Sequence, residues 1–293
     1  MADLEPVIAK LQNGIETITN SDNYKRWLVT CSAFHKYSWS NCILISCQCE
    51  HASRVAGFST WKKLNRAVKK GEKGIQILAP NPIKRYLSKE EAEEISGSYN
   101  VKEKDGKYFL ELMRFRPVYV FDISQTEGEE LPSIKCEELT GNVSLTLFDA
   151  VKNISPCEIE FKGIDNGYKG YYSPPTNKIA IQEGMSELQS LKTMLHEITH
   201  AILHCRGGEE EKAARDIKEL EAESVAFIVC DHFGLDTSEY SFAYLAGWQE
   251  DYKEQAKSFL KIIKKTSQTL IDSINKELGI VETDVIADKK AIA

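Results

Sequence analysis

Residues 191–204 read LKTMLHEITHAILH, and within them His196, Glu197 and His200 form the pattern His-Glu-x-x-His. Residues four apart on a helix stack on one face with about 5–6 Å between Cβ atoms, so two such imidazoles can share one metal ion. Glu197 lies one residue past the first ligand, about 100° round the helix. From there its carboxylate can reach a water on the metal without binding the ion itself, as a general base must. The surrounding residues, among them Leu191, Met194, Leu195, Ile198 and Ile202, are apolar and predict a mostly buried helix over 187–204. Two histidines and a glutamate in such a helix are costly unless paired or metal-bound.

A hydrolytic tetrahedral zinc takes three protein ligands and a water, so a third ligand must come from elsewhere. The next helical stretch, predicted over 209–233, carries Glu219 and Glu223 four apart on one face, with Ala222 and Ala226 small enough to allow close approach. Glu219 is expected as the third ligand. Glu223, one turn later, is expected to accept a hydrogen bond from a ligating imidazole; the reverse assignment is the alternative, and Glu221 points the other way. His204 continues the i+4 row, but a fourth protein ligand would close the site to water, so it is expected to support a ligand instead. Cys205 and Cys230 are expected in the core, and His232 at the C-terminus of its own helix. The cofactor implied is one Zn2+ per chain.

The chain has 293 residues, enough for two domains, and 42% of them are apolar, enough for ordinary cores. No apolar run approaches the roughly 18 residues of a membrane span, and the opening MADLEPVIAKLQNG has no export signature. A cytoplasmic protein without a membrane partner is therefore expected. Its eight cysteines are then reduced thiols. Cys42, Cys47, Cys49 and His51 fit no usual zinc spacing, so burial is the expected fate of these cysteines.

The net charge of −7 conceals a split: residues 1–86 hold 13 Lys and Arg against 6 Asp and Glu, and the remainder hold 24 against 38. Between Arg54 and Tyr86 nine basic residues face the single acid Glu72, which points to a polyanion partner at the front of the chain. Helical periodicity predicts three helices within residues 1–54 and a short one over 58–68. A turn at 71–74 precedes a β run at 75–78 stopped by Pro80 and Pro82. An acidic surface insertion follows at 88–105, and a strand at 107–122. The turn-rich 126–143 is expected as a linker. The second half is expected to hold a helix at 145–153, a strand at 158–161, two strands within 167–182, the metal helices, and a long helix over 239–278 broken near Gly247.

The stretch WSNCILISCQCEHASRVAGFSTWKKLNRAVKKGEKGIQILAP (39–80) resembles the single-stranded-DNA-binding domain of ArdC-like antirestriction proteins of mobile elements. VYVFDISQTEGEELP (118–132), GYYSPPTNKIAI (170–181), the metal helix, KELEAES (218–224) and YLAGWQEDY (244–252) follow in that family's order. The second half also resembles the ImmA/IrrE zinc metallopeptidases, whose downstream Glu-x-x-Ala corresponds to Glu219–Ala222. The resemblance implies an α+β chain: a basic domain over 1–125 that binds single-stranded DNA, and a zincin-like metallopeptidase domain over 144–293. It also implies protection of incoming single-stranded plasmid or transposon DNA during transfer, and hydrolysis of a protein or peptide substrate. The strand near 178–182 would hold that substrate by strand addition. Lys62, Lys63, Arg66, Lys69, Lys70 and Lys73 are the candidate phosphate contacts, and Trp61, with Phe58 or Trp39, the candidate stacking surface. Two other readings compete: a non-catalytic DNA-binding shield with a structural zinc, and an ImmA-like protease that cleaves a repressor.

Overall fold

In the computed structural model, which describes residues 4–18, 20–96, 99–130, 143–237 and 253–280, the N-terminal periodicity resolves into α1 (Glu5–Thr17), α2 (Ser21–Ala33) and α3 (Trp39–Gln48). Asn20 caps α2 by accepting from the Asp22 and Asn23 amides, and Ser38 caps α3 through the Asn41 amide. Val7, Ile15, Trp27, Leu28 and Leu44 face one core. Cys42 is buried there, whereas Cys47 is exposed, contrary to the expected burial, because it sits on the outer side of α3 beside Gly14.

After β1 (Val55–Ala56), α4 (Phe58–Lys63) and β2 (Arg66–Val68), strand β3 runs from Ile75 to Leu87 and does not stop at the prolines. It pairs antiparallel along its whole length with β5 (Lys107–Asp122). The outer edge of β3 explains how. The Gln76 and Leu78 amides point away from β5 and donate to the side-chain oxygens of Gln48 and Asn41. The amide nitrogens of those two side chains return the bond to the Gln76 and Leu78 carbonyls. Pro80 and Pro82 continue this outward register, where a missing N–H breaks no ladder bond. The acidic insertion forms the far end of the ribbon: α5 (Lys89–Ile95), started by a Ser88–Glu91 capping box, and β4 (Lys102–Lys104), joined to β5 through Asp105 and Gly106 at φ 53° and 69°.

Residues 126–128, expected to open the linker, instead form β6 (Thr126–Gly128), paired with β2. Gly128 is required there, because a Cβ would lie 2.3 Å from the Asn65 carbonyl oxygen. Residues 131–142 of the expected linker, and 239–252 with the YLAGWQEDY stretch, lie outside the described residues.

The second half carries α6 (Val143–Asn153), then β7 (Glu158–Lys162), β8 (Gly170–Ser173) and β9 (Lys178–Gln182) in a sheet ordered β7-β9-β8. β9 pairs parallel with β7 and antiparallel with β8. Flanked on both sides, β9 has no edge to offer, which corrects the expected strand addition at 178–182. Among the described residues the edges of this sheet are β7 and β8, and it is β8 that lines the cleft beside α7. The helices are α7 (Glu187–Leu203), α8 (Arg215–His232) and α9 (Lys253–Glu277), with α8 beginning six residues later than expected. No helix among the described residues is long and apolar enough to cross a membrane.

One hydrophobic core joins both halves of this α+β fold. The Tyr24 hydroxyl lies 2.6 Å from Ser224 Oγ, and His232 Nδ1 lies 3.0 Å from the Ser32 carbonyl. The two contacts share one sequence offset, so α2 and α8 run parallel. His232, the last residue of α8 as expected, thus also engages the end of α2. Buried Lys264 of α9 reaches the same end, donating to the His35 carbonyl.

His35 is surrounded there by His232 of α8, Lys264 and Asp272 of α9, and Lys36. Burial, reinforced by those cations, pushes it from 6.5 down to about 3. The unfolded chain therefore takes the proton first at this position, so the His35 contribution to stability is intact above pH 6.5 and declines as pH falls below it. His35→Gln is expected to flatten that decline down to about pH 4, read as urea midpoints across the range.

Candidate metal centre

Ser186 caps α7 through the Gln189 amide, and Leu191, Met194, Leu195 and Ile198 sink one side of the helix into the core. The other side carries the histidines at one-turn intervals. His196 Nε2 and His200 Nε2 lie 3.1 Å apart, and Glu219 Oε2 of α8 lies 3.4 Å from the first and 3.7 Å from the second. His196, His200 and Glu219 are a trio whose donor atoms all fall within 4.8 Å of one another. Two imidazoles and a carboxylate that converge while leaving one side open are a fitting donor set for a divalent ion. Ala222 and Ala226 are fully buried on α8, the close packing that brings Glu219 within reach.

Hydrogen bonds orient both imidazoles. His196 Nδ1 lies 3.2 Å from Glu223 Oε2, the supporting position expected for Glu223. His200 Nδ1 lies 2.8 Å from His204 Nδ1, and His204 Nε2 lies 2.8 Å from Glu221 Oε2. Glu221 does face away from the ion pocket, but into this inner relay, with a side chain 1% exposed. The residue numbers alone hid that role, because it depends on how α7 and α8 pack. Burial pushes the Glu221 carboxyl up to about 8 and His204 down to about 3, so both favour their uncharged forms at neutral pH.

Burial would lower His196, but its hydrogen bonds to Glu219 and Glu223 outweigh that and push it up to about 10. The same contacts, with His200, hold the Glu219 carboxyl well below the usual carboxylate range. Glu197 is buried behind the cluster, and burial raises its carboxyl while the Tyr172 backbone N–H bonds to it. A carboxyl raised in this way is better matched to accepting a proton near neutral pH.

Tyr172 belongs to β8, and Gly170 seats that strand on α7: a Cβ there would lie 2.6 Å from Thr193 Cγ2. A cleft of about 700 Å3 opens between β8 and the two helices, with Tyr171, Lys192, Arg215 and Lys218 around the cluster. Glu219→Ala is expected to lower metal affinity more than Glu223→Ala or His204→Ala, each of which should cost about 10–100-fold as a change to a ligand's partner. Competition against a chromophoric chelator measures all three; stronger loss in Glu223→Ala than in Glu219→Ala would exchange the two glutamates' roles.

The expected nucleic-acid residues are dispersed by the fold. Lys62, Lys63, Lys70 and Lys73 are exposed. Lys69 Nζ is tied to the Ser124 carbonyl at 2.8 Å, and the Arg66 guanidinium is spent on Thr126, Gly128 and Glu129, holding β6. Trp61 is 0% exposed and donates to the Phe121 carbonyl at 2.8 Å, so it offers no face to a base. This corrects its assignment as a stacking surface: the apolar side of a one-and-a-half-turn helix has nowhere to go but the core.

A profile of the family described as the N-terminal domain of anti-restriction factor ArdC matches residues 3–121, and a profile of the peptidase family described as an IrrE N-terminal-like domain matches residues 152–264. The two matched segments follow one another along the chain, the ArdC-type first and the IrrE-like second. The ArdC-type segment runs from α1 to β5, and the IrrE-like segment contains the whole metal cluster. The chain is similar to the antirestriction ArdC protein from the R388 plasmid: 16% identity to its metal-free crystal structure, 93% of this chain and 99% of that one covered, TM-score 0.57. Against the Mn(II)-bound structure of that protein the identity is 16%, with 91% and 97% covered and a TM-score of 0.53. At that identity the likeness is one of fold. An uncharacterized protein of Bacillus anthracis is 27% identical over 318 residues, covering 94% of this chain. The chain spans about half, 51%, of that relative's length.

Proposed function

We propose that this chain is an antirestriction-type protein of a mobile element that binds single-stranded DNA and carries a zinc-dependent peptidase site. The observation that carries the peptidase reading is the convergence of His196, His200 and Glu219 with Glu197 beside them, in a cleft bordered by a free strand edge. Zinc suits the donor set, and the Mn(II) form of the R388 protein supports a divalent ion in general. A divalent ion there supplies Lewis acidity.

The remaining work belongs to the chain itself. Glu197 accepts the proton of the attacking water, and its position is held by the Tyr172 amide. An extended substrate adds to the β8 edge, which places its backbone across the cleft mouth. His204 and Glu221 keep the His200 ring turned so that Nε2 faces Glu219. Antirestriction and DNA binding rest on the ArdC-type segment and the basic front of the chain.

The deciding experiment compares wild type with Glu197→Gln for metal content, binding to single strands, and protection of transferred DNA from restriction in cells. Retained metal and DNA binding with lost protection supports a peptidase. Protection that survives the substitution favours the non-catalytic shield. Accumulation of an intact repressor in the Glu197→Gln strain, with protection unchanged, favours the regulatory protease.

A further inference from the structure

With Trp61 in the core, the exposed rings of the N-terminal half are Phe58 on α4, Tyr99 and a group on the β3–β5 ribbon. Met113, Phe115 and Tyr119 share one face of β5 and are 59%, 46% and 59% exposed. Pro80 and Pro82 stand opposite Phe115 and Met113 on β3, rigid neighbours that leave the face flat. The other face of the ribbon goes into the core at its base through Ile75, Ile77 and Val120, and turns basic farther out with Arg85, Arg114 and Arg116. Single exposed rings are ordinary, but a row on one bare sheet face marks a contact surface.

Two features say what covers it. The first is charge. β3 and β5 together hold five Lys and Arg against two acids, and one of the acids, Asp122, is buried at the base, bonded to the Ser53 and Arg54 amides. The same face of a second copy would bring like charge to that surface. The second is the basic turn at 69–74. A Cβ on Gly74 would lie 3.0 Å from Tyr119 Cβ and 3.1 Å from Phe121 Cζ, so the turn carrying Lys70 and Lys73 runs against the aromatic row. Lys10 reaches its other flank, donating to Gln76, whose side chain contacts the Tyr119 hydroxyl. Gln125 fixes the turn by donating to Glu72 and to the Lys73 carbonyl.

We propose that the Tyr119–Phe115–Met113 face of the β3–β5 ribbon, continued by the Lys70–Lys73 turn, is the stacking platform for single-stranded nucleic acid. Unpaired bases lie on the rings of Phe115 and Tyr119, four residues and about 14 Å apart on the strand. Phosphates meet Lys10 and the Lys70–Lys73 turn, which border the rings. A duplex, whose bases are already stacked, lacks the faces this surface reads. The proposal rests on the nucleic-acid reading above and replaces Trp61 as its aromatic element.

The test uses the full chain and a fluorescent oligothymidylate, followed by anisotropy at several salt concentrations. Phe115→Ser with Tyr119→Ser is expected to weaken binding by about thirtyfold or more while leaving the log–log salt slope unchanged. Phe115→Tyr with Tyr119→Phe, which keeps the rings, should bind like wild type. Lys70→Gln with Lys73→Gln should flatten the slope. Both rings are exposed, so unfolding midpoints should stay at the wild-type value and confirm intact folding. Wild-type affinity in the double serine variant, with wild type itself binding, overturns the platform and leaves the nucleic-acid reading standing. Failure of wild type to bind removes both. A change in sedimentation of the serine variant with no change in binding assigns the face to self-association instead.

Discussion

Replacing His200 by alanine is expected to strip the protein of metal, from about one ion per chain to a small residual fraction, and His196→Ala should do the same. The two imidazole nitrogens sit 3.1 Å apart because both come from one side of α7, so neither can be substituted by a neighbour without rebuilding the helix face. The affinity lost should exceed the 10–100-fold expected for Glu223 or His204, since a ligand and not its partner is removed. Glu197→Gln should keep its metal, because the Glu197 carboxylate belongs to no part of the donor trio. Elemental analysis of the purified variants reads all three at once. Metal retained at wild-type level in both histidine variants would place the site elsewhere.

Trp61→Ala should be among the most damaging single substitutions in the N-terminal half. The side chain is fully buried and its indole N–H satisfies the Phe121 carbonyl. Emptying that volume costs roughly 3–5 kcal/mol, and the orphaned carbonyl adds about 1–3 kcal/mol. Trp61→Phe keeps most of the packing and should lose about 1–3 kcal/mol, chiefly from the bond. Denaturant midpoints distinguish these values easily. Trp61→Leu, which has no ring to stack, should bind single strands as tightly as wild type below its unfolding midpoint, which a stacking role for Trp61 would forbid.

The candidate metal centre was legible because its geometry is written within single helices. Spacing of four places His196 with His200 and Glu219 with Glu223, and only one packing step, between α7 and α8, is needed to join them. Glu221 escaped because its partner His204 is on the other helix, and its burial is decided by that packing. The ribbon was harder to read for the same reason. Pro80 and Pro82 end a strand only if their nitrogens face a partner strand, and that register is set by β5 thirty residues later. Asp105-Gly106 carries a hairpin signal, but the acidic stretch before it reads as an insertion. Asn41 and Gln48 looked like polar residues on a helix. Their amides pair with the β3 backbone as a neighbouring strand would, a use that periodicity cannot reveal.

The parallel seating of α2 on α8 has a bearing on inheritance. Ser224, which meets Tyr24, directly follows Glu223, so one helix serves as wall for the metal pocket and as floor for the N-terminal helices. An exchange of the front half between relatives would therefore have to match the inner face of α8, and a poor match would tilt the very helix that presents Glu219. The two segments are bound to evolve as a pair, and a calorimetric scan of the whole chain should show one melting event, displaced upward as a unit when metal is added.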